Sequence, residues 1–153
     1  PPPVLVPGVS FEKNVKVKLS DVSVKDWKTV GMPAEAANAI DGDPQTVWTA
    51  KALTPLVVDM GKASEVIGFS YAPAQKEDLT GTIYKYNFYV SIDGKNWTKC
   101  DAGGEFSNIM HNPVPYFVRF GKKYPARYFK LEPVAEINNK PATTVGEVGI
   151  LLK

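Results

Sequence analysis

Residues 36–48 read Ala-Ala-Asn-Ala-Ile-Asp-Gly-Asp-Pro-Gln-Thr-Val-Trp, the most informative stretch of this chain. Its centre, residues 41–44, consists of Asp, Gly and Pro, the residue types that favour tight turns. The alanine-rich residues 33–40 before it predict one short turn of helix. Taken alone, the four central residues favour an ordinary turn, because this composition is common in turns of every kind.

Outside this stretch, apolar side chains alternate with polar or small ones along several short segments. Such period-two alternation is typical of strands that bury one face. Many short strands joined by Gly, Pro, Asn and Asp turns predict an all-β protein, either an antiparallel sandwich or a barrel. The candidate strands are 15–19, 56–58, 67–71, 86–92, 118–120, 129–131 and 148–152, with Trp97 opening a return strand after a hairpin turn at 93–94.

Length and charge exclude several classes of protein. The 153 residues suit one domain with a buried core. A net charge of +2 with scattered lysines argues against nucleic acid as a partner, and no apolar run approaches the ~20 residues of a membrane-spanning helix. The single cysteine, Cys100, excludes an internal disulfide. The opening run of three prolines predicts a semi-rigid linker at 1–10, with the folded module at 11–153 as part of a longer polypeptide.

Five segments, in order along the chain, carry a resemblance to a known family. They are residues 36–48, 56–61, 86–97, 126–131 and 146–150. This series resembles discoidin domains, also called coagulation factor 5/8 type C domains, whose bacterial members are family 32 carbohydrate-binding modules. The resemblance implies an antiparallel β-sandwich of the jelly-roll, galactose-binding-domain-like type with about eight main strands. Residues 105–113 further resemble modules that follow bacterial exo-glycosidases, fucosidases in particular.

The resemblance also implies a structural calcium ion, Ca2+, held between the loop at 41–46 and the end of the domain. By position, Asp41 and Glu147 would supply carboxylates, and Thr46 its hydroxyl, its carbonyl, or both. Backbone carbonyls would come from Asn38, Asp43 and Gly146. Calcium takes several oxygens in a tolerant geometry, so such a set suits it. The alternative is a turn that holds no ion.

In this family the sugar lies on loops at one end of the sandwich, near the calcium, and these loops correspond here to 24–31, 72–82 and 135–145. Sugar sites combine aromatic ring faces with a few directed hydrogen bonds. Trp27 is the aromatic candidate, and its alternative role is a cap over the sandwich edge. The hydrogen-bonding candidates are Gln75, Lys76, Glu77 and His111, and their alternative role is that of solvated loop residues.

Other positions bear on whether a sugar is bound at all. Ala74 stands where many sugar-binding relatives place an arginine, and residues 138–143 lack the aromatic that many carry in the last loop. Trp48 and Trp97 occupy framework positions, which predicts core packing for both. The missing arginine and aromatic favour a rival role, in which a structural or protein-docking sandwich packs against a glycosidase and binds no sugar.

The predicted function rests on the resemblance, because no catalytic signature is present. Glu77 and Asp78 are adjacent on one loop, whereas the two carboxylates of a glycosidase flank a bond from opposite sides. A single histidine leaves few general bases. The prediction is a non-catalytic module that tethers an attached glycoside hydrolase, such as an exo-acting fucosidase or hexosaminidase, to terminal galactose, fucose or hexosamine. Such a protein is expected to be exported, to the periplasm, the cell surface or the medium.

Overall fold

The structure, a computed structural model, describes residues 17–153. The predicted linker at 1–10 and the predicted start of the module at residue 11 lie outside the described residues. Within the described range, no helix combines the length and the apolar character that crossing a bilayer requires.

The described chain is all β apart from one short helix. Its eight strands are β1 (Lys28–Thr29), β2 (Trp48–Ala50), β3 (Leu56–Ala72), β4 (Ile83–Ser91), β5 (Thr98–Glu105), β6 (Tyr116–Glu136), β7 (Thr143–Val145) and β8 (Glu147–Leu151). A 3-10 helix at Ala34–Ala39 is the short helical turn predicted from the alanines. All pairings between these strands are antiparallel. The predicted antiparallel β-sandwich with about eight strands is confirmed.

Two layers of strands enclose the core, and β3 and β6 of one large sheet contribute to both. This sheet runs in the order β1, β3, β6, β4 and β5, and β8 pairs with the second half of β3, at residues 68–72. In that half of β3, Phe69 stacks on Phe88 of β4, with ring centroids 4.1 Å apart. The stacked pair lies between the layers, because both side chains are fully buried. Strands β2 and β7 form a separate two-stranded ribbon.

Strands β3 and β6 are much longer than the sequence pattern predicts. The candidates at 56–58 and 67–71 join into β3, and those at 118–120 and 129–131 join into β6. The pairing of β3 with β6 is irregular at two places. Such bulges bend a strand, so each of these strands contributes to both layers. They also interrupt the alternation of apolar residues, and the sequence therefore shows two short strands where the protein has one.

Residues 17–19, the described part of the predicted strand at 15–19, form no strand. They cross the outside of the layer that contains β8, where Ser70 donates a hydrogen bond from its hydroxyl to the Leu19 carbonyl at 2.6 Å. The backbone approaches so closely that an added Cβ on Gly149 would lie 2.0 Å from that carbonyl. The prediction is wrong here because alternation does not distinguish a strand from an extended segment held mainly by side chains.

The tryptophans predicted to lie in the core occupy two different environments. Trp48 is 2 % exposed and belongs to the core cluster, which confirms the prediction. Trp97 is only half-buried and lies outside that cluster, with the ammonium of Lys130 4.7 Å from its ring centroid. The core role predicted for Trp97 is therefore wrong. It precedes β5, and its ring packs on the outer face of the sheet beneath a lysine side chain.

Candidate metal and sugar sites

An acidic loop, residues 41–46, links the 3-10 helix to β2. The amide of Asp43 donates to the carboxylate of Asp41 at 2.9 Å, and the amide of Thr46 donates to the carbonyl of Asp43 at 3.1 Å. Gly42 has a φ of +83°, a conformation that strains residues with a Cβ. The acidic loop is therefore a tight turn, as its composition predicts.

The acidic loop contacts the start of β8. The amide of Gly42 donates to Oε2 of Glu147 at 2.8 Å, although the two residues are 105 positions apart. The charges of Asp41 and Asp43 also act on the Glu147 carboxyl. The two segments that the predicted calcium ion would join therefore lie together.

Oxygen atoms crowd around the hydroxyl of Thr46. Its Oγ1 lies 2.5 Å from Oδ2 of Asp41. It also lies 2.8 Å from the carbonyl oxygen of Asp43 and 3.3 Å from that of Asn38. A hydroxyl has one proton, so it can donate a full hydrogen bond to only one of these three acceptors. Several oxygens converging on one point are what a hard cation requires.

Glu147 is a buried carboxylate whose second oxygen lacks a partner. The side chain is 2 % exposed, and among residues 17–153 its Oε1 makes no hydrogen bond. Burial first, and then the negative charge of Asp41, raise the pKa of Glu147 to about 8, against the opposing effect of the Gly42 amide. A cation at this point would supply both the missing charge and the missing partner.

Gly146 occupies a position where no side chain fits. An added Cβ would lie 2.8 Å from the carbonyl oxygen of Ala72 and 3.0 Å from that of Pro73.

The described residues include no group of three His, Cys, Asp or Glu side chains placed to hold a metal. The oxygens gathered here come instead from two carboxylates, a hydroxyl and backbone carbonyls, a combination that fits calcium and not zinc.

Two of the three predicted sugar-binding loops lie side by side. The amide of Thr144 donates to the carbonyl of Gly81 at 2.8 Å, which joins the loop at 135–145 to the loop at 72–82. These paired loops form one surface at an end of the sandwich. Residues 24–31 instead contain β1, which pairs with the first half of β3.

Glu136 holds the paired loops together, and the sequence does not single it out. Its side chain is 1 % exposed. Its carboxylate accepts hydrogen bonds from the amides of Gly81 at 2.8 Å, Asn138 at 2.6 Å and Lys140 at 2.9 Å. Three amide donors satisfy this buried carboxylate. In sequence, Glu136 looks like any exposed glutamate at the end of a strand, and no local signal marks its burial.

Trp27 lies in the core and offers no ring face to a sugar. It is 7 % exposed, and its ring packs edge-on against Phe129 with centroids 5.4 Å apart. The ligand role predicted for Trp27 is therefore wrong, and its alternative role as a cap at the edge of the sandwich fits the packing. The polar neighbours of Trp27 suggest exposure, but the pairing of β1 with β3 turns this ring inward.

The polar ligand candidates lie on the paired loops or beside them. Lys76 and Glu77 are exposed. Gln75 donates from Nε2 to the carbonyl of Pro113 at 3.0 Å, which brings the segment that carries the exposed His111 next to the loop at 72–82. The structure therefore gathers the four polar candidates at one end of the molecule, with Gln75 also serving as a bridge between two segments.

A groove of about 890 Å³ runs beside the acidic loop. Gln75 is the sugar-binding candidate that lines it, and Glu147 lies in its wall. The rest of the lining comes from residues of segment 17–24, residues 42–45, Ala72 and Pro115. The groove therefore lies at the border between the acidic loop and the loop at 72–82.

A comparison with protein families decides the classification of this chain. The F5/8 type C domain model matches residues 18–148. The chain belongs to this family. The resemblance drawn from the five sequence segments is confirmed, and the loops and strands described above are those of an F5/8 type C domain.

Solved structures share the fold. A CBM32 module from Clostridium perfringens, in complex with GalNAc-beta-1,3-galactose, matches with a TM-score of 0.70 and 22% identity, over 85% of this chain and 98% of that one. A candidate alpha-L-fucosidase from Bacteroides ovatus matches with a TM-score of 0.67 and 32% identity, over 94% of this chain and 21% of that one. The fold of this chain therefore matches nearly the whole of one solved chain and about a fifth of another.

Curated relatives are much longer than this chain. Galactose oxidase of Gibberella zeae is 29% identical over 143 residues, which are 86% of this chain and 20% of that protein. The chain spans about a fifth of the length of the curated relatives it matches. The activities of those whole proteins therefore do not carry over directly to this chain.

Proposed function

We propose that this F5/8 type C domain is a non-catalytic carbohydrate-binding module that tethers an attached glycoside hydrolase to glycans. The observation that carries the proposal is the family match over residues 18–148. The fold shared with a module solved in complex with GalNAc-beta-1,3-galactose supports it. A tether raises the effective concentration of substrate near the catalytic domain. An exported exo-acting fucosidase or hexosaminidase is the proposed parent, acting in the periplasm, at the cell surface or in the medium.

The paired loops are the proposed sugar site. Lys76 and Glu77 are exposed there, and His111 is exposed on the neighbouring segment that Gln75 contacts. All three can form hydrogen bonds with sugar hydroxyls, and Gln75 lies at the border with the groove. Since Trp27 is buried, recognition depends on hydrogen bonds without a stacked ring. A dissociation constant of roughly 0.1–10 mM, about 3–5 kcal/mol, is expected for such a site. The proposed ligands are terminal galactose, fucose or hexosamine.

A structural calcium ion between the acidic loop and β8 is the second part of the proposal. The unpartnered Oε1 of Glu147 and the crowded oxygens around Thr46 support it. When bound, the ion would supply positive charge that links two distant segments. The proposed ligands are the carboxylates of Asp41 and Glu147, the hydroxyl of Thr46, and the carbonyls of Asn38, Asp43 and Gly146.

One observation favours the rival role, a structural or protein-docking sandwich that binds no sugar. The paired loops lack a stacking ring, because residues 72–82 and 135–145 contain no aromatic residue, and Trp27 of the third predicted loop lies in the core. They also lack the arginine found in many relatives, and the residue at that position, Ala74, is 2 % exposed. A surface without either group offers a sugar only dispersed polar contacts.

A glycan array followed by calorimetry separates the two roles. For the binding module we expect millimolar binding of galactose-, fucose- or hexosamine-terminated glycans, weakened about tenfold by Glu77→Gln, since charge-assisted hydrogen bonds are the strong ones. Lys62→Ala, an exposed position in the β3 irregularity, is the matched control and leaves binding unchanged. No binding to any of these sugars by the folded protein would favour the docking role.

A further inference from the structure

Both ends of the loop at 72–82 are held by one short run of backbone, residues 144–146, which is called the connecting segment. At the start of the loop, the carbonyl of Ala72 accepts a hydrogen bond from the amide of Gly146 at 2.8 Å. The amide of Thr144 donates to the carbonyl near the other end of the loop, also at 2.8 Å. The loop that carries three of the four polar sugar candidates is therefore closed across this segment.

Thr144 contacts the loop and its flanking residues through its side chain and its carbonyl as well. It is 5 % exposed, and its hydroxyl donates to the carbonyl of Thr80 at 2.9 Å. Its carbonyl accepts a hydrogen bond from the hydroxyl of Tyr71 at 2.8 Å, and that hydroxyl accepts one from the amide of Ile83 at 3.0 Å. Tyr71 and Ile83 directly precede and follow the loop, so one threonine joins both of its ends.

The contact between Thr144 and the loop is close and buried. An added Cβ on Gly81 would lie 2.2 Å from Oγ1 of Thr144 and 2.9 Å from its amide nitrogen. Tyr71, Ile83 and Thr144 are all buried, so polar groups that separate there would lose their partners without gaining water. Such a loss is costly. The ends of the loop therefore follow any movement of the connecting segment.

The connecting segment leads directly into the cation site proposed above. Its last residue, Gly146, and the next residue, Glu147, are two of the proposed calcium ligands. Val145 of the segment pairs with Trp48 of β2, the strand that follows the acidic loop. The amide of Gly42 in that loop donates to Glu147 at 2.8 Å. A cation bound to this set would hold the segment against the acidic loop on both sides.

We propose that Thr144 is a positioning residue through which the calcium site controls the conformation of the loop at 72–82, an inference that rests on the proposed function. With calcium bound, the connecting segment keeps both ends of the loop in place. In its absence the ends of the loop open more often by local unfolding. Coupling between two sites is reciprocal, so calcium and sugar strengthen each other's binding by the same factor, typically about 5- to 150-fold.

Hydrogen exchange tests the coupling without any sugar. The amides of Gly81 and Thr144 report on the loop, since they donate to Glu136 and to Gly81 at 2.8 Å. Gly94, whose amide donates to Oγ of Ser91 at 2.8 Å, lies beyond the other end of β4 and serves as the reference. Calcium chloride, compared with EDTA, should slow exchange about tenfold more in the loop than at the reference.

Variants of Thr144 assign the effect to its hydroxyl. Thr144→Val keeps the volume and removes the donor to Thr80, so the excess slowing at Gly81 should fall to about twofold or less. Thr144→Ser keeps the donor and should retain the excess. The matched control is Thr143→Val, which removes a hydroxyl that bonds to the carbonyl of Ala52 at 2.8 Å and not to the loop at 72–82. It should also retain the excess.

Three results would overturn the coupling. They are equal slowing at Gly81 and Gly94 in the wild type, an excess that survives Thr144→Val, and an excess that Thr143→Val removes to the same degree. A folded protein that binds no calcium in calorimetry would overturn it together with the ion.

Galactose separates this inference from the sugar site itself. Calorimetry should show at least about fivefold tighter binding of galactose in calcium than in EDTA, and a ratio near one in Thr144→Val. Galactose affinity that does not respond to calcium, in a protein whose loop does respond, would overturn the linkage. A calcium response of the loop without galactose binding would support the coupling and count against the sugar site alone.

Discussion

The carboxyl group of Glu147 combines burial, one hydrogen bond and one unpartnered oxygen. An ionised carboxylate in that position is costly, because burial keeps water away from it and the nearby charge of Asp41 opposes it. Without a cation the group holds its proton up to an unusually high pH. With a cation present, the carboxyl group can ionise and coordinate that cation. The titration of this one side chain therefore reports on whether the proposed ion is present.

In EDTA, we expect the stability of the protein to fall as the pH rises from about 5 to about 8. The folded-state pKa of Glu147 is about 8 and its ordinary value is 4.5, so in this range the folded state keeps a proton that the unfolded state releases. Glu147→Gln should not show this part of the fall, because its amide does not titrate. Urea unfolding of both proteins at several pH values measures the difference. Parallel declines in the two proteins would contradict the prediction.

Trp27 and Trp97 show that the polarity of neighbouring residues in the sequence does not predict whether a single residue is buried. Trp27, with charged neighbours, lies in the core against Phe129. Trp97, in a hairpin position typical of the family framework, lies on the outer face beneath Lys130. In both cases the direction of the ring is set by the pairing of a neighbouring strand, and the sequence around each tryptophan does not contain that information.

At the scale of elements, the layer that contains β8 depends on close backbone contact. Segment 17–22 lies across it, and the amide of Asp21 donates to the carbonyl of Ile150 at 2.7 Å. Gly149 permits this approach because it has no Cβ, and the Leu19 carbonyl occupies the space that a Cβ would need. A side chain at this one position would push the segment away from the sheet.

Gly149→Ala should destabilise the protein by about 1–3 kcal/mol, because the added methyl group overpacks a backbone contact. Urea unfolding measures the loss, and limited proteolysis should cut segment 17–22 more rapidly. Gly31→Ala is the control: no atom lies within 4 Å of its added Cβ, and only the left-handed φ of +65° is strained. Equal resistance of segment 17–22 to proteolysis in wild type and Gly149→Ala would show that the contact with Leu19 does not hold it.

At the scale of the whole molecule, the proposed calcium ion would join segments that meet only after the sandwich has formed. Calcium at about 100 times its dissociation constant should add about 2.7 kcal/mol to the free energy of unfolding. For a domain of this size, that amounts to a rise in melting temperature of roughly 5–10 °C. Calorimetric melting with calcium and with EDTA measures it, and Glu147→Gln should show little or no rise. An unchanged midpoint in wild type, with the metal shown absent by elemental analysis, would contradict the ion.

The sequence by itself determined the all-β class, the acidic loop and, through the order of five motifs, the family, and the resemblance to that family implied the loops at 72–82 and 135–145. These depend on local composition, on alternation and on the order of motifs, which are properties of short segments. Tertiary structure alone decided that Glu136 is buried and satisfied, that Glu147 lacks one partner, and that Lys130 lies between two rings. Each of these features needs side chains from strands far apart in the chain. Their positions follow from bulges and strand pairing that the alternation pattern does not record.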